Sequence, residues 1–577
     1  PGRVTVGNLG VVGTASKGPI LKPILLSNIG EAREFFGAAD AYDPAKRELT
    51  LVRALDLAFS NGASTVYAVR VTPIDTHAPK RTPNVDPDED LIAPGLYTKA
   101  QKAAFDVISP PDTDSPHATH IVAHLRARYH GTWGNDISIN ITKVADDDER
   151  KPISETVNGP AAGSPPLIKL KRKHIDPARK NQIVVLDPIT GLKTVYVDDK
   201  VVYKLDDLVL GKVFIDTVPG EVHFVDPDKP NPTDRVTTTY FVDIPNSRKV
   251  SIKSGGLTET YIVVDGKHLV DQIKQSELVE ATETGDSDKL PEEFSSSLEF
   301  RPFSGFRVGS DGDGASDADY KPGLATLEDE AVHIVVAAGM DNEKIADELQ
   351  AHCEKASTDK LHGDRIAVVG SKLAATTDDI RNKVPNSDRI VFVAPGFKVT
   401  DSVSGNEVTL PGAYTAAIIA GMLASRDPEV SLTNKSVSVS ELETRYNSSQ
   451  LEQLVQAKVL VLEQRRGLGI RVVKGITTDG GAFKQITTRR IVDYAKYGVR
   501  SAADPYIGLL NNERVRGALR ATINSFLTDM IDDEMLIKYD LDVTASRAQE
   551  IRGIVQVTMT LQPVFSIDFI KVTLFLT

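Results

Sequence analysis

Cysteine is almost absent from this sequence: one residue, Cys353, in 577. A single thiol excludes an internal disulfide framework and fits synthesis in a reducing compartment. It lies in "DNEKIADELQAHCEKAS", a segment of helical spacing where a lone cysteine is expected to pack as a small hydrophobe. No apolar run approaches the ~18 residues that a membrane-spanning helix needs, and no basic-then-apolar leader is visible. Membrane insertion and a secretion signal are therefore not expected. Reactive constellations are missing too. There is no G-x-S-x-G elbow and no Walker lysine. His117, His120, His124 and His130 lie close together but without a repeated ligand spacing, and no Cys/His cluster offers a zinc site. "GNLGVVG" (Gly7, Gly10, Gly13) lacks G-x-G-x-x-G spacing, and no helix follows at once. "SDGDGASDADY" carries Asp311, Asp313, Asp317 and Asp319, but Ala315 stands where a calcium loop needs an oxygen ligand. That stretch reads as a turn leading into a capped helix. No catalytic residue, metal or cofactor is assigned, and a non-enzymatic protein is expected.

What is present is ordinary globular material. Apolar residues make up 41% and charged residues 25%, which excludes disorder over most of the chain. The length predicts roughly three or four domains. The net charge of −13 is uneven. From Arg465 to Thr577 there are 16 Lys and Arg against 12 Asp and Glu, so the remainder carries −17. Lys484–Arg520 holds eight basic residues against three acidic. Such a stretch is a solvated helix face or a surface that docks onto an acidic protein. Nucleic acid is disfavoured by the acidic remainder and by the lack of an aromatic-interleaved basic motif.

Residues 1–72 alternate strand and helix. "NIGEAREFFG" is a short helix stopped by Gly37, and "LTLVRALDLAFSNGA" spaces Leu51, Val52, Leu55 and Phe59 as a helix does. Five prolines in "PIDTHAPKRTPNVDPDEDLIAP" mark a boundary. Residues ~120–300 are a series of short alternating runs, among them "ISINITKV", "QIVVLD", "GEVHFVD" and "KVSIKS", the pattern of an all-β insertion. The only tryptophan, Trp133, sits in "RYHGTWGNDISINI", an aromatic plug on a tight turn before a strand. From ~320 continuous apolar strands again alternate with helices, the pattern of a sheet covered on both faces. Two α/β stretches thus flank a β insertion and are expected to share one core.

The last hundred-odd residues read as strand, helix, helix, then strands. In "IKYDLDV", Ile537, Tyr539, Leu541 and Val543 share one face; in "GIVQVTMTL", Val555, Val557, Met559 and Leu561 do the same. The helix "ERVRGALRATINSFLTDMIDD" aligns Val515, Leu519, Ile523, Phe526 and Met530. The final run has apolar residues on both faces: Phe565, Ile567, Phe569, Ile570, Val572, Leu574 and Leu576. A terminal segment of that kind needs a partner sheet. It points to assembly rather than catalysis.

Together, "VVGTASKGP", "EAREFFG", "LDLAFSNGASTVYAVRV", "YHGTWGNDISINI", "GSDGDGASDADYKPGLATLEDEAVHIVVAAG" and the stretch from "VVKGITT" to "KVTLFL" resemble the tail sheath protein of contractile phage tails and contractile injection systems. The resemblance covers about 1–72, 125–142 and 305–577. It implies an α/β multidomain fold with four parts: an N-terminal part of the core (1–95), a mostly β, outward-facing insertion (96–304), the core continued (305–464), and a C-terminal domain with a terminal strand arm (465–577). It implies an N-terminal arm ahead of Pro1-Gly2, where this sequence begins. It implies a subunit of stacked hexameric rings around an inner tail tube, held also by baseplate and tail terminator proteins. Such a subunit is assembled in the host cytoplasm, resides in the virion tail, and contracts without nucleotide hydrolysis. It contacts no nucleic acid directly. Phe565, Ile567, Phe569, Ile570, Val572, Leu574 and Leu576 would form an inter-subunit strand, and Lys496, Arg500, Arg514, Arg516 and Arg520 a basic surface facing the inner tube. Other readings are another phage tail or baseplate component, or an α/β hydrolase-like enzyme with a β-sandwich insertion.

Overall fold

The structure, a computed structural model, describes residues 6–43, 49–76, 91–111, 120–146, 148–296, 298–305, 307–312, 314–358, 360–568 and 570–573. Two compact units divide the chain: residues 1–100 with 311–577, and residues 101–310.

The first unit is built on an eight-stranded sheet. Its strands run, in spatial order, Ile24–Leu26, Val66–Val71, Leu9–Thr14, Ile334–Ala337, Ile366–Gly370, Ile390–Ala394, Leu460–Arg465 and Gly469–Val472. The six inner strands are parallel, and each edge strand is antiparallel to its neighbour. Leu9–Thr14 pairs directly with Ile334–Ala337, so segments more than 300 residues apart in sequence share one ladder. Alternate residues of each inner strand enter opposite cores. Leu9, Val11, Ile334, Val336, Val391 and Val393 face one core, and Val12, Val335, Ala337, Ile390 and Phe392 face the other. Burial on both faces is the reason these strands read as unbroken apolar runs. Helices Ile29–Phe36, Thr50–Ser60 and Gly412–Ala424 cover the first face. Asp317–Thr326, Asn342–Ala356, Thr377–Asn382 and Ser448–Gln456 cover the second. Cys353 lies fully buried in that second layer, where burial pushes its thiol up to about 12. Gly37 ends its helix at φ 84°, a backbone conformation glycine adopts without a Cβ clash.

The second unit is mainly β. Among the described residues it contains three four-stranded sheets and a three-stranded one, with the helix Gly266–Ile273. Trp133 sits in the 3₁₀ turn Thr132–Asp136 just before the strand Ser138–Lys143, within one of the unit's two apolar cores. Its indole N–H donates to the Tyr129 carbonyl at 3.0 Å, so a large ring is buried with its polar atom satisfied. Gln101 and Ser310, the residues at which the chain enters and leaves this unit, exchange both backbone hydrogen bonds, at 2.8 and 3.0 Å.

The C-terminal part of the first unit has its own small core. Helices Ile486–Ala503 and Glu513–Asp532 pack together, with Ile491, Tyr494, Val499, Leu519, Ile523, Phe526 and Met530 between them and the hairpin of Leu536–Thr544 with Gln556–Pro563. Gly498 allows the close approach: a Cβ there would lie 1.9 Å from the Phe526 ring.

Candidate functional site

The hairpin places an apolar face on the helices and leaves its length uncovered at the sides. Tyr539 stands opposite Leu561, Leu541 opposite Met559, and Val543 opposite Val557. All six pack on the small core, because residues two apart share a face of a strand. Ile537 does not join them. A register shift between Leu536 and Lys538 turns Leu536 inward and leaves Ile537 55% exposed. This corrects the sequence expectation, and a bulge is the physical reason: one extra residue flips the alternation. Among the described residues neither strand pairs with a third. Two edges of eight and nine residues are thus left with unpaired backbone groups, which is a template for another strand.

Beyond Pro563 the chain runs along the body. The Val564 N–H donates to the Met535 carbonyl at 3.0 Å. Gln485 then holds Ser566 from both sides: the Ser566 N–H donates to Gln485 Oε1 at 3.0 Å, and Gln485 Nε2 donates to the Ser566 carbonyl at 3.1 Å. Asp568 accepts from Gln485 Nε2 at 2.7 Å and Thr433 Oγ1 at 3.0 Å, and pairs with Lys474 Nζ at 3.1 Å. The intervening apolar residues face outward. Phe565, Ile567, Ile570 and Val572 are 60%, 78%, 74% and 72% exposed. Phe569, Leu574 and Leu576 lie outside the described residues. The sequence reads this run as a strand; its described residues join no ladder, because side chains rather than a neighbouring strand satisfy the backbone at Ser566.

The five candidate basic residues are not one open patch. Lys496 Nζ and Arg500 Nη1 lie 3.1 and 2.6 Å from the two oxygens of Asp364, a buried carboxylate that Arg389 also contacts at 3.0 Å. Arg389 reaches on to Asp493 at 3.2 Å, and Arg489 joins Asp493 at 2.6 Å and Asp388 at 2.8 Å. Burial would raise the Asp364 carboxyl, but Lys496, Arg389 and Arg500 hold it below its ordinary range. Burial pushes Asp493 the other way, upward, against the pull of Arg489 and Arg389. The cluster ties the first C-terminal helix to the sheet. Arg516 pairs with Glu550 at 3.0 Å. Arg514 and Arg520 are exposed, Arg520 donating to the Leu541 carbonyl at 3.1 Å. Counting charges along the stretch Lys484–Arg520 found the cations and Asp493, but not Asp364, which comes from a distant segment.

The remaining motifs are structural. In open α/β sheets a ligand crevice forms where the strand order reverses, here between Leu9–Thr14 and Ile334–Ala337. That place is filled. The Thr14 and Thr50 hydroxyls each accept the other's backbone N–H, at 3.0 and 3.1 Å, and the buried Tyr320 hydroxyl donates to the Ala338 carbonyl at 2.9 Å. Gly10 and Gly13 lie within the strand itself. Asp319 accepts from the Ser316 backbone and hydroxyl at 2.7 and 2.8 Å and from the Ile74 N–H at 2.9 Å, a helix start rather than a cation loop. His124 and His120 face Asp106 and Asp286 at 2.6 and 3.1 Å. Among the described residues no His/Cys/Asp/Glu group is arranged for a metal ion, and no helix is long and apolar enough to cross a membrane.

Residues 313–478 match the family described as phage tail sheath protein central domain, and residues 478–577 that described as phage tail sheath C-terminal domain. The tail sheath protein of Bacillus phage SP01 is 28% identical over 213 residues, 35% of this chain and 37% of that protein. The match therefore spans little more than a third of that curated relative's length. Two solved structures share the fold across nearly the whole chain. The sheath tail protein of Desulfitobacterium hafniense is 14% identical with a TM-score of 0.56, covering 98% of this chain and 95% of that one. That of Listeria innocua is 12% identical with a TM-score of 0.56, covering 98% and 93%. Residues 313–577 are thus similar to the central and C-terminal domains of phage tail sheath proteins.

Proposed function

We propose that the protein is a non-enzymatic structural subunit of a contractile tail sheath, which polymerises as stacked hexameric rings around an inner tail tube. On this reading it assembles in the host cytoplasm, is held at its ends by baseplate and terminator proteins, and drives the tube through a target envelope on contraction. The observation that carries the reading is that one chain presents both open strand edges and an exposed apolar segment. Among the described residues the hairpin leaves two strand edges open, and after Pro563 the side chains of Phe565, Ile567, Ile570 and Val572 are exposed. Strand addition supplies main-chain hydrogen bonds for affinity and side-chain pockets for register. A donated strand joins subunits by a flexible tether, so the mesh stays connected while the bodies rotate. A contracted lattice that buries more surface, reached over a barrier, supplies the work without a nucleotide. Arg514 and Arg520 are the exposed members of the inner-tube-facing surface.

The test is to express the chain alone and view it by negative-stain electron microscopy, beside a chain ending at Pro563. Hollow striated tubes from the first and none from the second are expected. Monodisperse particles from the full chain under all assembly conditions would count against a sheath. Equal tubes from both would remove strand donation by this segment.

A further inference from the structure

The contacts to the Ser566 backbone and the Asp568 carboxylate are more specific than a trailing segment requires. Three separate places in the fold converge on them: Thr433 in a loop, Lys474 after the last sheet strand, and Gln485 at the start of the helix Ile486–Ala503. Gln485 occupies the N-cap position but makes no capping bond. Its amide instead grips the Ser566 peptide unit from both sides, as a neighbouring strand would. Thr433 Oγ1 is itself oriented, accepting from the Gly475 N–H and the Ser431 hydroxyl, each at 3.1 Å, which leaves its hydrogen for Asp568. The Asp568 side chain is 13% exposed and the Lys474 side chain 25%, so the ion pair is partly shielded from water and stronger than a surface pair.

We infer that Thr433, Lys474 and Gln485 form a recognition site for a peptide that ends in aspartate, filled by Ser566–Asp568, with Gln485 on the backbone of Ser566 and all three on the Asp568 carboxylate, which fixes where the donated strand leaves its own subunit. This rests on the sheath reading for what the strand does, though not for the contacts themselves. Period-two alternation does the rest. With Ser566 and Asp568 turned in, Phe565 and Ile567 must turn out, so the anchor sets which side chains reach a second copy's hairpin. Holding the root of the arm also shortens its free length and raises its effective concentration at the acceptor edge. Thr433 and Lys474 lie in the part matching the sheath central domain and Gln485 in the part matching the C-terminal domain, so the anchor also bridges the two.

Gln485→Ala and Asp568→Ala, made in the full chain, test the anchor. Unassembled subunits are exposed to trace chymotrypsin and trypsin, and cleavage at Phe565 and Lys571 is followed by mass spectrometry. Cleavage is expected to quicken at least tenfold with the melting temperature unchanged, and the concentration needed for tubes to rise severalfold. Unchanged cleavage in both variants overturns the anchor. Faster cleavage with unchanged assembly overturns its positioning role. Should Gln485→Ala lower the melting temperature, Thr433→Val and Lys474→Gln, which lie outside the helix, decide by the same readouts. The chain ending at Pro563 separates the two ideas: if it assembles normally, strand donation fails, while the anchor is judged on cleavage alone.

Discussion

At the scale of single residues, close approach and buried charge decide more than propensity does. Gly498 is the clearest case. Alanine in a helix interior is favoured over glycine by about 1 kcal/mol, yet its methyl here would sit 1.9 Å from the Phe526 ring. Overpacking a filled core costs about 1–3 kcal/mol. Gly498→Ala should therefore lower stability despite its propensity, and a second change, Phe526→Leu, should restore part of the loss in thermal melts. Two histidines give a pH dependence of fixed sign. The His352 ring nitrogen accepts from Arg365 at 3.2 Å, and His333 Nδ1 accepts from the Asn8 N–H at 3.3 Å. A proton on either acceptor would face a donor. Burial first, then Arg365 and Lys355, lower His352 to about 3; burial, Arg365 and Arg490 lower His333 to about 4. The unfolded chain binds these protons near pH 6.5, so stability falls as the pH drops from about 6.5 toward 4. Melting temperatures across that window should decline, and His352→Gln should flatten the slope.

Among the elements, those set by local periodicity were legible in the sequence and those set by distant partners were not. Leu51, Val52 and Leu55 announce the helix Thr50–Ser60, whose buried face they form. The unbroken apolar runs at Ile366–Gly370 and Ile390–Ala394 announce inner strands of a covered sheet. The bulge at Ile537 could not be read, because alternation in one strand says nothing about an irregular partner. The basic residues of the two C-terminal helices were visible as charges. Their pairing with Asp364, more than 130 residues away, was not. That distinction changes which substitution is informative. Reversing Lys496 or Arg500 replaces one of the three cations around the buried Asp364 carboxylate with a like charge and destabilises the fold. Arg514 is exposed at the start of its helix, so Arg514→Glu should leave melting unchanged. It should weaken sheath–tube co-sedimentation more at low salt than at high salt. Equal losses at both salts would place the effect elsewhere.

For the whole molecule, the governing fact is that one sheet is assembled from strands on either side of residues 101–310, while those residues close on their own cores. Replacing Gln101–Ser310 by a short Gly/Ser linker should leave the first unit folded, with a cooperative melt and tubes still forming under the microscope. Loss of a cooperative melt would show that the core depends on the insertion. The reason to expect success is the paired backbone of Gln101 and Ser310, the two ends of the removed segment, which exchange both hydrogen bonds. A short linker can close so small a gap without prying the sheet apart. That narrow doorway also makes the position a socket. A guest domain with its own two termini close together could be seated there once per subunit, entering and leaving where Gln101 and Ser310 now meet.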